Sequence, residues 1–141
     1  MYLDTAYLVK YYVNEADSAV VRALLFTGRS LTSSAWAITE LTCAFQRHVR
    51  EGILSAHQAH VLHDEFLMHV ETGVWRMIPV TDRLLRRCSM QVRGLPAGVY
   101  VRAGDAIHLT TAAEEGEAEI WTNDRHLLAA APYFGLTGRS V

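Results

Sequence analysis

The sequence predicts an α/β domain built on a mostly parallel sheet, and two observations carry that prediction. Short apolar strands alternate with amphipathic helices along almost the whole chain. Two of those strands, the first and a late one, run straight into an aspartate. In open parallel sheets the carboxyl ends of the strands are where ligands bind. The chain has 141 residues, half of them apolar, which suits one domain over residues 1–141 with a sizeable core.

Taken in order, Tyr2-Leu3 reads as a short first strand ending at Asp4-Thr5. Ala6 to Tyr12 is a short helix, and Ser18 to Phe26 a second, with Asp17 or Ser18 as its N-cap. Leu31-Thr32-Ser33 is a weak strand. Trp36 to Arg50 is a strongly amphipathic helix stopped near Gly52. Ser55 opens a long helix to Glu71, before Gly73. Val74 to Val80, rich in Val, Trp and Ile, is a strand. Thr81-Asp82 caps a helix from Arg83 to Val92, and Gly94 to Gly98 is a loop. Gly104 to Glu115 is helical and ends at Gly116. Glu119 to Thr122 is a strand followed by Asn123-Asp124, Arg125 to Ala131 a last short helix, and Leu136 to Val141 an edge strand.

The formal net charge of −2 argues against a protein that coats nucleic acid by overall charge, while leaving room for an enzyme with a local basic rim. Cys43 and Cys88 lie far apart and in no metal-like spacing, as expected of reduced thiols in a cytosol. The N-terminus shows no basic-then-apolar signal, and no apolar run approaches the roughly 18 residues that span a bilayer. A cytoplasmic protein without a membrane partner is expected.

Four carboxylates stand out: Asp4, Glu40, Asp105 and Asp124. Asp4 and Asp124 each precede a helix and serve equally well as N-caps. Asp105 falls on the apolar arc of its helix, among Leu109, Ala112, Ala113 and Ala106. A carboxylate aimed at a core must be capped, paired or bound to a cation. Glu40 borders the arc of Ala44, Ala37, Leu41, Phe45 and Ile38, a place that also suits an ordinary solvated glutamate. The set says more than its members. Two like charges about 5 Å apart at an effective dielectric near 20 repel by roughly 3 kcal/mol, so a cluster of acids calls for a cation. Oxygen ligands without a Cys/His set favour Mg²⁺ or Mn²⁺ over zinc, and such an ion supports phosphodiester hydrolysis.

At these residues the chain resembles the PIN-domain nucleases, and among them the VapC-type toxins. The resemblance rests on Tyr2-Leu3-Asp4-Thr5-Ala6 with Leu8-Val9-Lys10, on Thr39-Glu40-Leu41, on Gly104-Asp105-Ala106-Ile107-His108-Leu109, and on Trp121-Thr122-Asn123-Asp124. It implies a three-layer α/β/α sandwich around the parallel sheet. It also implies an acidic pocket for one or two Mg²⁺ or Mn²⁺ ions, with Asp4, Glu40, Asp105 and Asp124 in the acidic positions and Thr5 and Thr122 supporting them. A metal-dependent endoribonuclease is implied, the toxin of a type II toxin–antitoxin pair, with RNA as substrate, a cognate antitoxin and a homodimeric state. Arg102-Ala103-Gly104 departs from the family pattern, where a bulkier or aromatic residue is common.

Other features have modest readings. His57, His60 and His63 drift around one helix as a solvated face. His108, one turn after Asp105, suits a bond to a carboxylate or phosphate, or a purely structural place. Arg83, Arg86, Arg87, Arg93 and Arg102 form a loose basic stretch that could guide an RNA backbone. Tyr7, Leu8, Tyr11, Tyr12 and Val13 are apolar enough to form a groove for the partner as well as core. Among competing functions, a phosphatase with Asp-x-Asp after the first strand fails because Ala6 holds the second position, and a receiver domain lacks its adjacent acidic pair. A DNA-cleaving relative or a non-catalytic interaction module on the same fold are the alternatives.

Overall fold

The computed structural model describes residues 1–28 and 30–141. The strands are β1 (Tyr2–Leu3), β2 (Thr32–Ser34), β3 (Arg76–Ile78), β4 (Glu119–Trp121) and β5 (Thr137–Arg139). The helices are α1 (Thr5–Tyr12), α2 (Ser18–Leu25), α3 (Trp36–Arg50), α4 (Ala56–Glu71), α5 (Asp82–Arg93), α6 (Ala103–Glu114) and α7 (Arg125–Ala130), with a 3₁₀ turn at Ala131–Phe134. All strand pairs are parallel and the order is β3-β2-β1-β4-β5.

That order reverses direction at β1. The chain works outward to β3 on one side, then returns to β4 and β5 on the other. Right-handed crossovers then lay the two sets of helices on opposite faces. Alternation along β1 fits this: Leu3 joins a core with residues of α1, α2, α3 and α4, while Tyr2 joins a second core with α6, α7 and the 3₁₀ turn. The predicted three layers are therefore present. The crevice between β1 and β4, where strand order reverses, is where a sheet of this type accepts ligands.

Local chemistry sets the boundaries. Ser55 accepts from Gln58 N at 3.1 Å while the Gln58 side chain accepts from Ser55 N at 2.8 Å, a reciprocal cap for α4. Thr81 caps α5 through Leu84 N, as its sequence suggests. Asp17 precedes α2 but does not cap it with its side chain; it takes the left-handed conformation at φ 64°. Ser18 instead ties Glu15 N to the Val13 carbonyl.

The strand expected over Val74 to Val80 is shorter, because both flanks have other duties. Val74 N and Trp75 N bond to the His69 carbonyl and finish α4, while Pro79 has no N–H to extend the ladder. β2 sits one residue later than expected and the last strand covers only its centre.

The expected groove of Tyr7, Leu8, Tyr11, Tyr12 and Val13 is core instead. Tyr7, Leu8 and Val13 are buried. Tyr11 and Tyr12 pack edge-on to Trp75, Phe45, Phe66 and His69. The apolar excess of α1 is spent on α2 and α3, which cover it on either side. Among the described residues no helix is long and apolar enough to cross a membrane.

Candidate active site

Asp4 follows β1 and caps α1: its Oδ1 accepts from Tyr7 N at 3.1 Å. Asp124 follows β4 and caps α7 in the same way, Oδ1 accepting from His126 N at 2.7 Å. The capping role is therefore real for both, and it leaves the second oxygen of each free for other work. Asp4 Oδ2 accepts from Thr122 Oγ1 at 2.5 Å, and Asp124 Oδ2 accepts from Arg102 Nη2 at 2.6 Å. Thr122 also accepts from Asp124 N at 2.9 Å, so one buried hydroxyl ties the two strand-end acids together.

Asp105 sits in the first turn of α6, whose residues from Asp105 to Ala112 are all buried. Its carboxylate accepts from Arg102 N at 3.0 Å and from Arg102 Nε at 3.1 Å. The core-facing acid is thus both capped and paired. The same guanidinium reaches Asp124, so Arg102 bridges the two acids, with its side chain 58% exposed.

Glu40 projects from α3. Its Oε2 accepts from Thr5 Oγ1 at 2.5 Å and lies 2.9 Å from His108 Nε2. His108 Nδ1 is 3.0 Å from the Tyr2 hydroxyl. A carboxylate only accepts, so Nε2 carries the proton toward Glu40, while Nδ1 shares the other hydrogen bond with the Tyr2 hydroxyl. His108 is therefore a bridge from the sheet to Glu40. Gly104 explains the departure noted in the sequence. A Cβ there would stand 2.5 Å from Glu40 Oε1 and 3.1 Å from Trp36 Nε1, so a side chain would push Glu40 aside.

All four acids line one cleft of about 250 Å³, together with Thr5, His108, Arg47 and Arg102. Thr122 supports it from below. Of the five arginines in the basic stretch only Arg102 lines this cleft. Arg83 and Arg87 pair with Glu114 at the end of α6, and Arg86 with Asp82 within α5. Arg47 and Glu15 also line the cleft and were not apparent from sequence: α3 contributes Arg47 about two turns after Glu40, and Glu15, from the segment before α2, is held by buried His48 of α3. The Arg102–Asp105 spacing of three residues at a helix start was the available signal for the bridge. His57 and His60 are exposed, and they join no metal-binding group among the described residues.

Burial pushes the Asp4 carboxyl up to about 6, against the opposing pull of the Thr122 hydroxyl and His108. Burial acts on Glu40 in the same direction, but the hydrogen bond and charge of His108, helped by Thr5 and Trp36, outweigh it and hold Glu40 below its ordinary value.

The donor chemistry fits a hard divalent cation. Carboxylate and hydroxyl oxygens dominate, and the imidazole lining the cleft, His108, is already committed to Tyr2 and Glu40. The guanidinium lodged between Asp105 and Asp124 is itself a cation taken up by the acids. Among the described residues no three potential ligands stand close enough to enclose an ion with the side chains as set. Arg102 holds one pair of acids, and the hydroxyls hold the other.

The sequence matches the family model of the PIN domain over residues 1–132. No curated protein matches it. The fold is similar to VapC20 of Mycobacterium tuberculosis, a toxin that cleaves the sarcin-ricin loop, with a TM-score of 0.72, 15% identity and coverage of 92% of this chain and 93% of that one. It is also similar to VapBC2 of Rickettsia felis, bound to a DNA fragment from its promoter, at a TM-score of 0.67 and 16% identity over 99% and 97% of the two chains. FitAcB of Neisseria gonorrhoeae is comparable, at a TM-score of 0.68 and 16% identity over 97% and 94%.

Proposed function

This chain belongs to the PIN-domain family, and on that premise we propose that it is a metal-dependent endoribonuclease. We take it to be a single domain over residues 1–141 that acts in the cytoplasm, as a homodimer, as the toxin of a type II toxin–antitoxin pair restrained by a cognate antitoxin. One observation carries the reading: Asp4, Glu40, Asp105 and Asp124, with Glu15 beside them, come from five separated segments to line a single cleft at the strand-order reversal, together with Arg47 and Arg102. The fold shared with VapC20, itself a toxin, and with VapBC2 and FitAcB supports the toxin assignment and the antitoxin partner.

In this reading Asp4, Glu40, Asp105 and Asp124 would hold Mg²⁺ or Mn²⁺, which would supply Lewis-acid chemistry for phosphodiester hydrolysis. The rest falls to the chain itself. Thr122 fixes the free oxygen of Asp4 and the main chain at Asp124 with one hydroxyl. Thr5 and His108 hold Glu40 ionised and pointed into the cleft. Arg102 and Arg47 offset the charge of an incoming phosphodiester. Tyr100, exposed and set against His126 at a ring separation of 4.7 Å with the planes tilted by 59°, offers a face to an unpaired base.

The purified protein should cut single-stranded RNA in Mg²⁺ or Mn²⁺ and stop in excess chelator. Asp105→Asn should slow cleavage by on the order of 100-fold or more, since a lost ligand removes several kcal/mol of transition-state stabilisation. Expression alone should arrest growth, co-expression with the neighbouring small protein should relieve it, and Asp4→Asn should abolish it. Full activity in chelator, or arrest that survives Asp4→Asn, would overturn the reading.

A further inference from the structure

We infer that Arg102 is a built-in counter-cation of the acidic cleft, which a divalent ion displaces and which then becomes the ligand for the substrate's phosphate. The inference rests on the proposed nuclease function and gives Arg102 two successive partners within it. Asp105 is the constraint. Its side chain is only 11% exposed, and the guanidinium is its charged partner. A carboxylate buried to that degree is costly without positive charge beside it. Arg102 meets the need in both directions, with Nε on Asp105 and Nη2 on Asp124 at 2.6 Å.

The bridge is also built to be given up. The Arg102 side chain is 58% exposed, so it can leave without opening a cavity, and its contacts are screened by solvent. Neither acid loses its anchor when it leaves. Asp105 keeps the main-chain bond from Arg102 N, and Asp124 keeps its bond from His126 N. What each acid must have is a cation, and a divalent ion satisfies both at higher charge. The freed guanidinium stays tethered at the first turn of α6, at the rim of the same cleft. Its planar fork suits two oxygens of a phosphate as well as it suits a carboxylate. Lysine, a point charge on a flexible stem, would neutralise the acids but would not make the same forked contact.

Mn²⁺ binding by the full chain, read by electron paramagnetic resonance, tests the first half. Arg102→Gln should bind Mn²⁺ about tenfold more tightly than the parent, because the ion no longer displaces a charge-assisted contact. Arg102→Lys should lie between, and Asp105→Asn should weaken binding. The second half is read as affinity for a single-stranded RNA oligonucleotide in Ca²⁺. It should fall about tenfold in Arg102→Gln, with only partial recovery in Arg102→Lys. Unchanged or weaker Mn²⁺ binding by Arg102→Gln, with Asp105→Asn still impaired, would overturn displacement and leave the acidic site standing. Unchanged RNA affinity would overturn the phosphate role. Absence of Mn²⁺ binding in every variant would overturn the metal site and this inference together.

Discussion

Asp4 shows how one side chain carries opposing demands. It caps α1 through one oxygen, and burial lifts its carboxyl to about 6. For an acid with a raised folded-state value the sign runs against folding as pH rises. Between about pH 4 and 6 the folded protein keeps a proton that the unfolded chain has lost. The stability from this group is therefore fully present below about pH 4 and is lost as pH rises through 6. In the metal-free protein at pH 7 the ionised Asp4 costs on the order of 2–3 kcal/mol, the equivalent of its shift. Asp4→Asn keeps an acceptor for Tyr7 N and carries no charge. Denaturant melts in chelator should find it more stable than the parent at pH 7, by about 1–3 kcal/mol, with the gap closing toward pH 4. A gap that widens on acidification would contradict the burial argument. The same substitution should weaken Mn²⁺ binding, so stability and function move in opposite directions at this residue.

At the scale of elements, the approach of α6 to α3 decides where Glu40 points. Gly104 makes that approach possible. Gly104→Ala places a methyl against Glu40 Oε1 and the Trp36 indole. Glu40 is partly exposed and can swing outward, so the fold should survive while the ligand is misplaced. The expected outcome is a melting temperature within a few degrees of the parent and a loss of about tenfold or more in RNA cleavage. A steady-state assay beside a thermal melt checks it, and unaltered cleavage would show that Glu40 has slack. On the other face of α3 the tyrosines of α1 are held in the same jigsaw manner. The Tyr12 hydroxyl accepts from Trp75 Nε1 at 2.6 Å and meets His69 Nδ1 at 2.8 Å. The aromatic residues of α1 are therefore structural.

For the whole molecule, the cleft joins parts that otherwise belong to separate layers. Glu40 comes from the face of α1 to α4, Asp105 from the opposite face, and Asp4 and Asp124 from the sheet between them. An ion held by all of them would staple the layers together in the folded state only. Saturating Mn²⁺ should then raise the melting temperature by several degrees, since a hundredfold excess over the dissociation constant is worth about 2.7 kcal/mol. Asp105→Asn should erase most of that rise without removing the cooperative melt. A Mn²⁺-induced rise of equal size in that variant would mean that the ion binds elsewhere.

The chain's periodicities and caps were enough for the fold class and for nearly every helix. Ser55-x-x-Gln58 and Thr81 mark helix starts that side chains complete locally. The strands were less legible. Thr32, Ser33 and Ser34 are buried in the sheet although none is strongly apolar, because the ladder and a bond from Ser33 Oγ to the Leu3 carbonyl satisfy their polar atoms. No periodicity encodes that. The positions of Asp4 and Asp124 at strand ends and the core-facing angle of Asp105 were readable, since each follows from local geometry. The partners of these acids were not. Thr122 meets Asp4 across 118 residues, His108 meets Glu40 across 68, and Arg102 joins Asp105 to an acid 22 residues away. By itself the sequence determined which carboxylates could gather and roughly where. Only the tertiary structure decided that a guanidinium would sit among them, because charge balance in a cleft depends on which side chains the fold brings within a few ångströms, and that is a property of packing rather than of spacing along the chain.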